Sequence, residues 1–435
     1  MERVQAIRGM NDILPDAVHW WQMVERTARD VLELYGYREI RTPVVEKLEL
    51  FARSIGESTD IVEKEMYAFA DRKGQWLALR PEATASVVRA FIEHNLQADP
   101  LARKFYTIGP MFRHERPQKG RYRQFHQIDA EVFGIDDPLL DAEVMVMLCD
   151  FLQRLGLQGV GLHINSLGCP RCRPLFRDDL KKFLHERSPQ LCPDCDRRRH
   201  VNPLRVFDCK VDRCREALAG APELVRYLCE DCARHFEKVR AYLTGLDVAF
   251  TVDPRMVRGL DYYMRTTFEV VTDRLGAQNA VGGGGRYDGL MRDLGGPDLP
   301  GIGFAIGMER LILLLQQGRS LEAGAPDVFV AVLGEKPVLE AFRAVQALRR
   351  SGVAVEMAYG GGSLKSQMRR ADKLAAAHVV ILGEEELAKG VAVVRNMKEK
   401  SQTEVSLSDL VEYFKGHIVS SRGRTPGFGP TPSSR

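Results

Sequence analysis

The sequence predicts an α+β fold, in which a larger domain built on an antiparallel sheet is followed by a smaller α/β domain. Two strand-like stretches, 104–112 and a second one that ends at Phe133, flank a polar loop with Pro117 and Gly120. This pattern predicts a long antiparallel hairpin. A run of paired cysteines interrupts the sheet-like part of the chain, and strands alternate with helices near its end. That alternation is typical of a compact α/β domain with a mainly parallel sheet.

Apolar spacing and the positions of Gly and Pro predict the elements of the larger domain. Residues 17–34, 84–93 and 139–155 have the spacing of helices. Segment 37–45 is a strand candidate, but Pro43 confines it to an edge, a bulge or an interface. Further strands are predicted at 66–70, 75–79, 160–165, 268–271 and 301–305. Region 168–246 is mostly helical and is predicted to be a small domain inserted into the sheet.

The α/β domain is predicted after a polar linker at 316–326. Its predicted strands and helices alternate along the chain at 328–332, 338–350, 353–357, 365–374 and 379–382. Residues 421–435 contain three prolines and three glycines without an apolar pattern. We therefore expect this tail to be disordered.

Composition places the chain among globular proteins of two or three domains. It has 435 residues, of which 45% are hydrophobic and 28% are charged, and this is enough for a full hydrophobic core. A net charge of +3 does not by itself indicate a nucleic-acid partner. Residues 1–16 lack a signal-peptide pattern, and the apolar stretches are too short to cross a bilayer. We expect a cytoplasmic protein without a membrane segment.

Eight of the nine cysteines are concentrated in the inserted region, in closely spaced pairs. In the cytosol a disulfide framework is disfavoured, whereas paired thiolates are typical of structural zinc. The eight thiols could form two four-thiolate sites or one site with thiols left over, and incidental thiols in a helical segment are the remaining alternative. The candidate zinc ligands are Cys169, Cys172, Cys192, Cys195, Cys209, Cys214, Cys229 and Cys232.

One face of the second hairpin strand carries a gradient of charge, because side chains two residues apart share a face. The gradient suits an elongated ligand that has phosphates at one end and an amine at the other. A solvated sheet face would give the same alternation. The face comprises Arg121, Arg123, Phe125, Gln127, Asp129 and Glu131.

Other segments combine residues that could meet a ligand. Glu82 and Thr84 stand where a strand gives way to a helix, although helix capping is common there. Arg258 lies among apolar residues and would need an anionic partner if buried. The adjacent tyrosines 262–263 could be simple packing.

Two further motifs would suit a bound nucleotide. Four successive glycines at 282–285 permit close approach of the backbone to a ligand. They do not form a P-loop, because the Gly-Lys-Ser/Thr ending is missing. Arg310 is predicted near the beginning of a helix, where a phosphate would be stabilised.

In this order the segments resemble the class II aminoacyl-tRNA synthetases, and specifically the histidyl-tRNA synthetase family, over nearly the whole chain. Residues 37–46, 112–133 and 303–311 are similar to the three class motifs. Segments 258–263 and 284–288 are similar to the two histidine-specific signatures, which are more specific than the class motifs. The last domain resembles an anticodon-binding domain.

The resemblance implies a cytoplasmic, homodimeric ligase that uses ATP with Mg²⁺. Such an enzyme activates histidine to histidyl-adenylate with release of pyrophosphate, and then transfers histidine to the 3′ end of the histidine tRNA. The implied domains are a catalytic domain in two parts, 1–167 and 247–320, the Cys-rich insertion at 168–246, and an anticodon-binding domain at 326–418.

The resemblance also implies roles for the arginines. Arg113 and Arg258 would hold the α-phosphate of ATP. Arg121 would reach the far phosphates, and Arg310 would lie against the adenine and the phosphates. Gln118 in the hairpin loop would face the acceptor end of the tRNA.

The histidine pocket follows from the same resemblance. Its implied residues are Glu82, Thr84 and Gln127 for the amine and carboxylate, Glu131 and Tyr263 at the two imidazole nitrogens, and Tyr262 in support. Ala83 is also among the implied histidine-binding residues. Ala83 stands where many family members have glycine. Alanine would be strained there if the backbone needs a positive φ.

Two alternatives belong to other functional classes. A non-catalytic paralogue could keep the histidine pocket and regulate a biosynthetic phosphoribosyltransferase. Such relatives usually lack the last domain and lose catalytic arginines, whereas this chain has Arg113, Arg258 and Arg310. A class II enzyme for another amino acid is opposed by the signature at 258–263.

Overall fold

Two compact units, 1–320 and 321–435, make up the chain in a computed structural model. The structure describes residues 3–56, 59–99, 103–275, 279–318 and 324–422. Strands of the first unit are β1 (Arg38–Glu39), β2 (Val45–Lys47), β3 (Ala68–Ala70), β4 (Trp76–Leu79), β5 (Lys104–Phe112), β6 (Gln124–Phe133), β7 (Gly161–Ser166), β8 (Phe250–Val252), β9 (Met264–Val271), β10 (Ala280–Arg286) and β11 (Gly301–Gly307). Its helices are α1 (Pro15–Leu34), α2 (Leu48–Ile55), α3 (Thr84–Glu93), α4 (Pro138–Arg154), α5 (Arg173–Glu186), α6 (Pro193–Val201), α7 (Asp212–Ala217), α8 (Glu230–Gly245), α9 (Leu290–Asp293) and α10 (Met308–Leu315).

An eight-stranded sheet in the order β1-β5-β6-β11-β10-β9-β7-β8 forms the frame of the first unit. Its end pairs, β1 with β5 and β7 with β8, are parallel, and its other pairs are antiparallel. The predicted hairpin is present as β5 and β6. Strand β6 begins at Gln124, so Arg121 and Arg123 belong to the preceding loop.

The strand candidate 37–45 is interrupted around Pro43, and its strands lie at sheet edges, one of the three places that the proline was expected to allow. It contains two short strands, β1 and β2, which belong to different sheets. Strand β1 pairs with β5, whereas β2 pairs with β4 in a three-stranded sheet. Because proline has no N–H to donate, the chain cannot continue the first ladder through Pro43.

Helices α5 to α8 form the predicted insertion between β7 and β8. Apolar side chains from α5 to α7 and from the turns between α5 and α8, among them Phe176, Leu180 and Val206, form a core of their own. Since β7 and β8 are parallel neighbours, the insertion is a long crossover connection. The chain therefore leaves the sheet at the end of β7 and re-enters it beside Leu162, near the start of that strand.

The second unit is an α/β fold. Its strands are β12 (Val328–Val332), β13 (Val355–Met357), β14 (His378–Leu382), β15 (Val391–Asn396) and β16 (Gln402–Ser406), and its helices are α11 (Val338–Arg350), α12 (Leu364–Lys373), α13 (Glu384–Lys389) and α14 (Leu410–Arg422). The sheet order is β13-β12-β14-β15-β16. The first three strands are parallel, but β15 and β16 are antiparallel, so the sheet is mixed rather than mainly parallel.

The end of α14 overlaps the predicted disordered tail. Residues 421–422 are helical, which corrects the prediction at those two positions, and 423–435 lie outside the described residues. Within the described part of the chain, no helix is long and apolar enough to cross a membrane. The predicted α+β class is confirmed.

Candidate active site

A cavity of about 270 Å³ lies against β6, β10 and β11 in the first unit. Three arginines from separate parts of the chain line it: Arg113 from the loop after β5, Arg258 from the loop before β9, and Arg310 from α10. Antiparallel pairing of β11 with both β6 and β10 brings the hairpin and the C-terminal strands of this unit together. The structure thus gathers the predicted phosphate-binding cations at one cleft.

Main-chain carbonyl groups and one carboxylate orient the cations of the cavity. The Nε atom of Arg113 donates to the Pro81 carbonyl at 2.9 Å, and Arg310 donates from Nη1 to the Ala280 carbonyl at 2.6 Å. Arg121 forms a 2.6 Å ion pair with Glu115. Burial, followed by the charge of Arg121, lowers the pKa of Arg310. An anion bound here would relieve that repulsion.

Arg258 is a partly buried cation on the adjacent wall. Its guanidinium forms an ion pair with Glu269 and lies 5.5 Å from the centroid of the Tyr263 ring. The anionic partner that its apolar surroundings require is therefore present. Gly283 of β10 makes room for it, because a Cβ there would lie 2.9 Å from Arg258 Nη1 and 2.5 Å from a main-chain oxygen. The glycine run thus lets the strand approach both its neighbour and this arginine.

Carboxylates line the same cavity as the arginines, and one of them is Glu82. Glu82 accepts hydrogen bonds from the backbone N–H groups of Thr84 and Ala85, each at 2.9 Å, and so caps α3 while also lining the cavity. The capping and the ligand-binding interpretations are both compatible with this geometry. The φ angle of Ala83 is −101°, so alanine is unstrained at this position.

Gln127 and Asp129 present buried acceptors to the cavity from one face of β6. Among the described residues, neither Gln127 Oε1 nor Asp129 Oδ2 has a hydrogen-bond partner. Asp129 is only 1% exposed. Burial, followed by the charges of Glu131 and Glu82, raises its pKa well above the usual value. Two buried acceptors without partners are costly in the empty cavity and would be satisfied by a cationic donor.

Glu131 lies behind the cavity wall and is 1% exposed. Its Oε1 accepts from the Thr84 hydroxyl at 2.6 Å, and its Oε2 accepts from the Tyr287 hydroxyl. Burial raises the pKa of Glu131 to about 8, although these hydrogen bonds oppose the shift. The role of Tyr287 was missed from the sequence. The only indication in the sequence was that Tyr287 belongs to segment 284–288, which resembles one of the histidine-specific signatures.

Tyr262 and Tyr263 line the cavity beside these carboxylates, with ring centroids 4.7 Å apart. The Tyr262 hydroxyl is 3.4 Å from Glu82 Oε2. The pair therefore packs together, as the simpler interpretation held, and also faces the cavity.

Two sequence candidates lie elsewhere. Arg123 is absent from the cavity wall and donates from Nε to the main-chain oxygen of Glu115 at 3.3 Å. Gln118 lines a separate cavity of about 540 Å³, together with His114 and Arg116. Of the charged strand face, only Phe125, Gln127 and Asp129 line the cavity from β6, and Arg121 lines it from the loop.

The insertion also contacts the cavity wall, which the sequence did not indicate. Arg205 donates from Nη1 to the main-chain oxygen of Arg258 at 3.2 Å. Asn202 donates from Nδ2 to Asp261 Oδ1 at 3.0 Å. Nearby, Arg198 forms a 2.6 Å ion pair with Asp60, just before the short π-helix Ile61–Glu65. These contacts fix the insertion to the loop that carries Arg258.

A mixed sheet with this cavity, accompanied by a separate α/β unit, defines a class II aminoacyl-tRNA synthetase. Residues 9–171 and 196–311 match the family model of histidyl-tRNA synthetase, and 327–417 match the anticodon binding domain. The chain belongs to the histidyl-tRNA synthetase family. This confirms the family and the enzyme class that the resemblance implied.

Proteins of similar sequence or structure match this chain over nearly its whole length. A histidine–tRNA ligase of Syntrophotalea carbinolica is 56% identical over 94% of this chain and 97% of its own length. One of Geobacter sulfurreducens is 57% identical over 93% of this chain and 98% of its own. The crystal structure of apo histidyl-tRNA synthetase from S. aureus superposes with a TM-score of 0.80 at 36% identity, covering 95% of this chain and 100% of that one.

Proposed function

We propose that this protein charges the histidine tRNA in two steps, by activating histidine with ATP and then transferring the histidyl group. The observation that carries the proposal is one cavity lined both by four arginines, Arg113, Arg121, Arg258 and Arg310, and by the buried acceptors Glu82, Gln127 and Asp129. Such a lining can hold the phosphates of a nucleoside triphosphate beside the ammonium group of an amino acid. Family membership supports the same reaction.

In the first step a carboxylate oxygen of histidine attacks the α-phosphorus of ATP. The bond from this phosphorus to the bridging oxygen breaks, and pyrophosphate leaves with the electron pair. Because two anions must meet, cations held in place before the reaction are worth about 3–4 kcal/mol for each donor. We assign Arg113 and Arg258 to the α-phosphate, where a planar guanidinium can contact two oxygens at once.

The remaining nucleotide contacts complete this arrangement. We assign Arg121 to the far phosphates and Arg310 to the adenine and the phosphates. Magnesium enters with ATP as part of the substrate. The main-chain contacts of Arg310 to Gly120 and Ala280 support its fixed orientation.

The buried acceptors of the cavity wall are assigned to histidine. Its ammonium group donates to Glu82, Gln127 and Asp129, which would satisfy the two acceptors left without partners. Tyr263 contacts one imidazole nitrogen, with Tyr262 in support. Glu131 accepts from the other nitrogen, which takes the place of the Thr84 hydroxyl at Oε1, while Tyr287 keeps Oε2 in position. A side chain without a donor at this position could not replace the Thr84 hydroxyl and would lose the hydrogen bond to Glu131, so the pocket discriminates in favour of imidazole.

In the second step the terminal ribose hydroxyl of the tRNA attacks the acyl carbonyl of the adenylate, and AMP leaves. We assign Gln118 to the acceptor end of the tRNA, because it lies in the loop between β5 and β6. The unit that matches the anticodon binding domain is assigned to the anticodon.

Two further parts of the proposal concern assembly and metal content. We propose a homodimer, because 37–46 resembles the class motif at the dimer interface and β1 ends the large sheet. Light scattering at several protein concentrations would give the dimer mass if this is correct, and a monomer mass throughout would contradict it. We also propose that the Cys-rich insertion contains structural zinc.

Amino-acid-dependent ATP–pyrophosphate exchange tests the reaction. We expect exchange with histidine and none above background with the other amino acids. Lack of exchange with every amino acid would indicate the regulatory paralogue, and exchange with a different amino acid would indicate another class II specificity. Charging of histidine tRNA by the same preparation then tests the second step.

A further inference from the structure

The eight cysteines of the insertion gather into two separate groups of four. In each group all Sγ atoms lie within 4.8 Å of one another. The outer group contains Cys169, Cys172, Cys229 and Cys232, and the inner group contains Cys192, Cys195, Cys209 and Cys214. The pairing is nested, since the inner group lies wholly between the two halves of the outer one. Sequence spacing alone allowed several pairings.

Sulfur–sulfur distances within the groups fit a tetrahedral metal site. Cys169 Sγ lies 3.6 Å from Cys172 Sγ and 3.9 Å from Cys229 Sγ, and Cys192 Sγ lies 3.9 Å from Cys209 Sγ. Four sulfurs at about 2.3 Å from a zinc ion would be about 3.8 Å apart. All nine cysteines are free thiols, and a disulfide would require about 2.05 Å.

Backbone N–H groups point at the sulfurs, as expected around thiolates. In the outer group the Cys229 N–H donates to Cys172 Sγ at 3.1 Å, and in the inner group the Cys192 N–H donates to Cys214 Sγ at 3.1 Å. Gly168 shapes the first turn of the outer group. Its φ is +58°, and a Cβ there would lie 2.7 Å from Cys172 Cβ. Packing of thiols as ordinary core residues would require neither feature.

We propose that the insertion holds two zinc ions, each bound by one of these four-thiolate groups, and that both ions support the wall of the active-site cavity. Four thiolates fill a tetrahedral zinc site, so both ions are structural rather than catalytic. The contribution to catalysis rests on the proposed function, whereas the metal content can be measured without any activity.

The outer site braces the segment that carries Tyr263. It joins the chain leaving β7 to the beginning of α8, where the chain starts its return to the sheet. Arg173, next to Cys172, donates to the main-chain oxygens of Leu167 and Tyr263. The Arg265 N–H donates to the Gly168 carbonyl at 2.9 Å. An ion here would fix the start of β9 against the segment that joins β7 to the insertion.

The inner site braces the segment that touches Arg258. Asn202 and Arg205 lie between Cys195 and Cys209, and both contact the Arg258–Asp261 loop. An ion bound by the inner cysteines would hold both ends of this docking segment. Zinc binding would thereby determine where the insertion holds the main chain of Arg258.

Elemental analysis tests the metal content of the full chain, purified without chelator and without a histidine tag. We expect two zinc ions per chain, and X-ray absorption should give a shell of four sulfurs at about 2.3 Å. Protein without zinc, or a shell dominated by nitrogen or oxygen, would overturn the proposal. Neither measurement depends on the folding of a variant.

Substitutions then test the pairing. Cys172→Ser and Cys195→Ser should each remove one ion, the double variant should remove both, and Cys149→Ser should retain both. Loss of zinc in Cys149→Ser, or full zinc in the double variant, would contradict the assignment.

Kinetics separate the two supporting roles. Cys195→Ser should lower kcat for exchange several-fold with little change in KM for histidine, whereas Cys172→Ser should raise that KM. Normal kinetics in folded, zinc-depleted variants would exclude the support of the cavity wall while leaving the ligase activity intact.

Discussion

Arg205 of the insertion donates a hydrogen bond to the main-chain oxygen of Arg258, 3.2 Å away. The contact joins a helical insertion to the loop that carries a proposed catalytic arginine. Arg205 is largely buried and also forms a 3.0 Å ion pair with Asp208, so its guanidinium has little freedom to move. The insertion is therefore part of the structure that sets the position of Arg258.

Arg205→Ala should lower kcat for pyrophosphate exchange and leave the KM for histidine nearly unchanged, because the contact orients a phosphate ligand. Arg205→Lys should restore part of the rate, since lysine can still donate to the carbonyl oxygen. Arg226→Ala is a control within the insertion, because Arg226 pairs with Glu223 at an exposed position. Equal losses of kcat in the Arg205 and Arg226 alanine variants would indicate general destabilisation instead.

Arg258→Ala should nearly abolish exchange, by about 10²–10³-fold, because a cation held at the α-phosphate is lost. Histidine binding, measured by calorimetry without ATP, should be largely retained. Arg255→Ala, at an exposed position three residues earlier, should behave like the unmodified enzyme. Weaker histidine binding with near-normal turnover would contradict the phosphate role.

Glu131→Gln should raise the KM for histidine far more than the KM for ATP. The amide retains the shape of the side chain but loses the carboxylate that we assign to the imidazole. Steady-state exchange kinetics with each substrate varied in turn would measure both constants. Equal changes would remove Glu131 from the side-chain pocket.

The stability of the ligand-free enzyme should fall as the pH rises from about 5 to about 8, partly because of Glu131. Its pKa is about 8 in the folded protein and near 4.5 in the unfolded chain, so the folded state binds the extra proton in this range. Each unit of difference corresponds to about 1.4 kcal/mol, and stability falls where the folded state holds more protons.

Melting temperatures across this pH range, compared between the unmodified enzyme and Glu131→Gln, would measure that contribution together with its coupling to Asp129. The charge of Glu131 is one cause of the raised pKa of Asp129, so the variant loses that part of the shift as well. The variant should therefore show a smaller fall. Parallel curves would mean that Glu131 does not titrate in this interval.

Asp129→Asn should weaken ligands that carry an amine and spare those that lack one. Histidinol has the ammonium and imidazole groups without the carboxylate, whereas imidazolepropionate has the imidazole and carboxylate groups without the amine. The inhibition constant of histidinol in the exchange assay should rise several-fold, and that of imidazolepropionate should stay nearly constant. A similar change for both would exclude recognition of the amine by Asp129.

Most helices and strands could be predicted from the sequence, because the pattern that indicates each of them lies in residues close together along the chain. Helices α3 and α11 have the predicted bounds, since their apolar spacing is regular. The antiparallel strands β15 and β16 were missed. Strand β16 is largely exposed and therefore carries little hydrophobic signal.

The site was less accessible to this reasoning wherever it depends on contacts between distant segments. Resemblance supplied the three arginines, and the structure brought them to one cavity. The Tyr287–Glu131 hydrogen bond joins residues 156 positions apart, and the Arg205–Arg258 contact crosses from the insertion to the sheet. Neither leaves a periodic trace in the sequence. The cysteines show the same limitation. Their spacing in the sequence suggested that they bind a metal, but not which four cysteines share one site.

The nested order of the cysteines also matters during synthesis on the ribosome. Residues 169–172 emerge first, but their partners at 229–232 emerge only after the complete inner group, 192–214. Cys169 and Cys172 therefore encounter the thiols of the inner group before their own partners, Cys229 and Cys232, have been synthesised. The inner group can close by itself over a short loop, which removes those competitors. The inner cysteine group would then fold first, and the outer group, at the junction with the sheet, would form last.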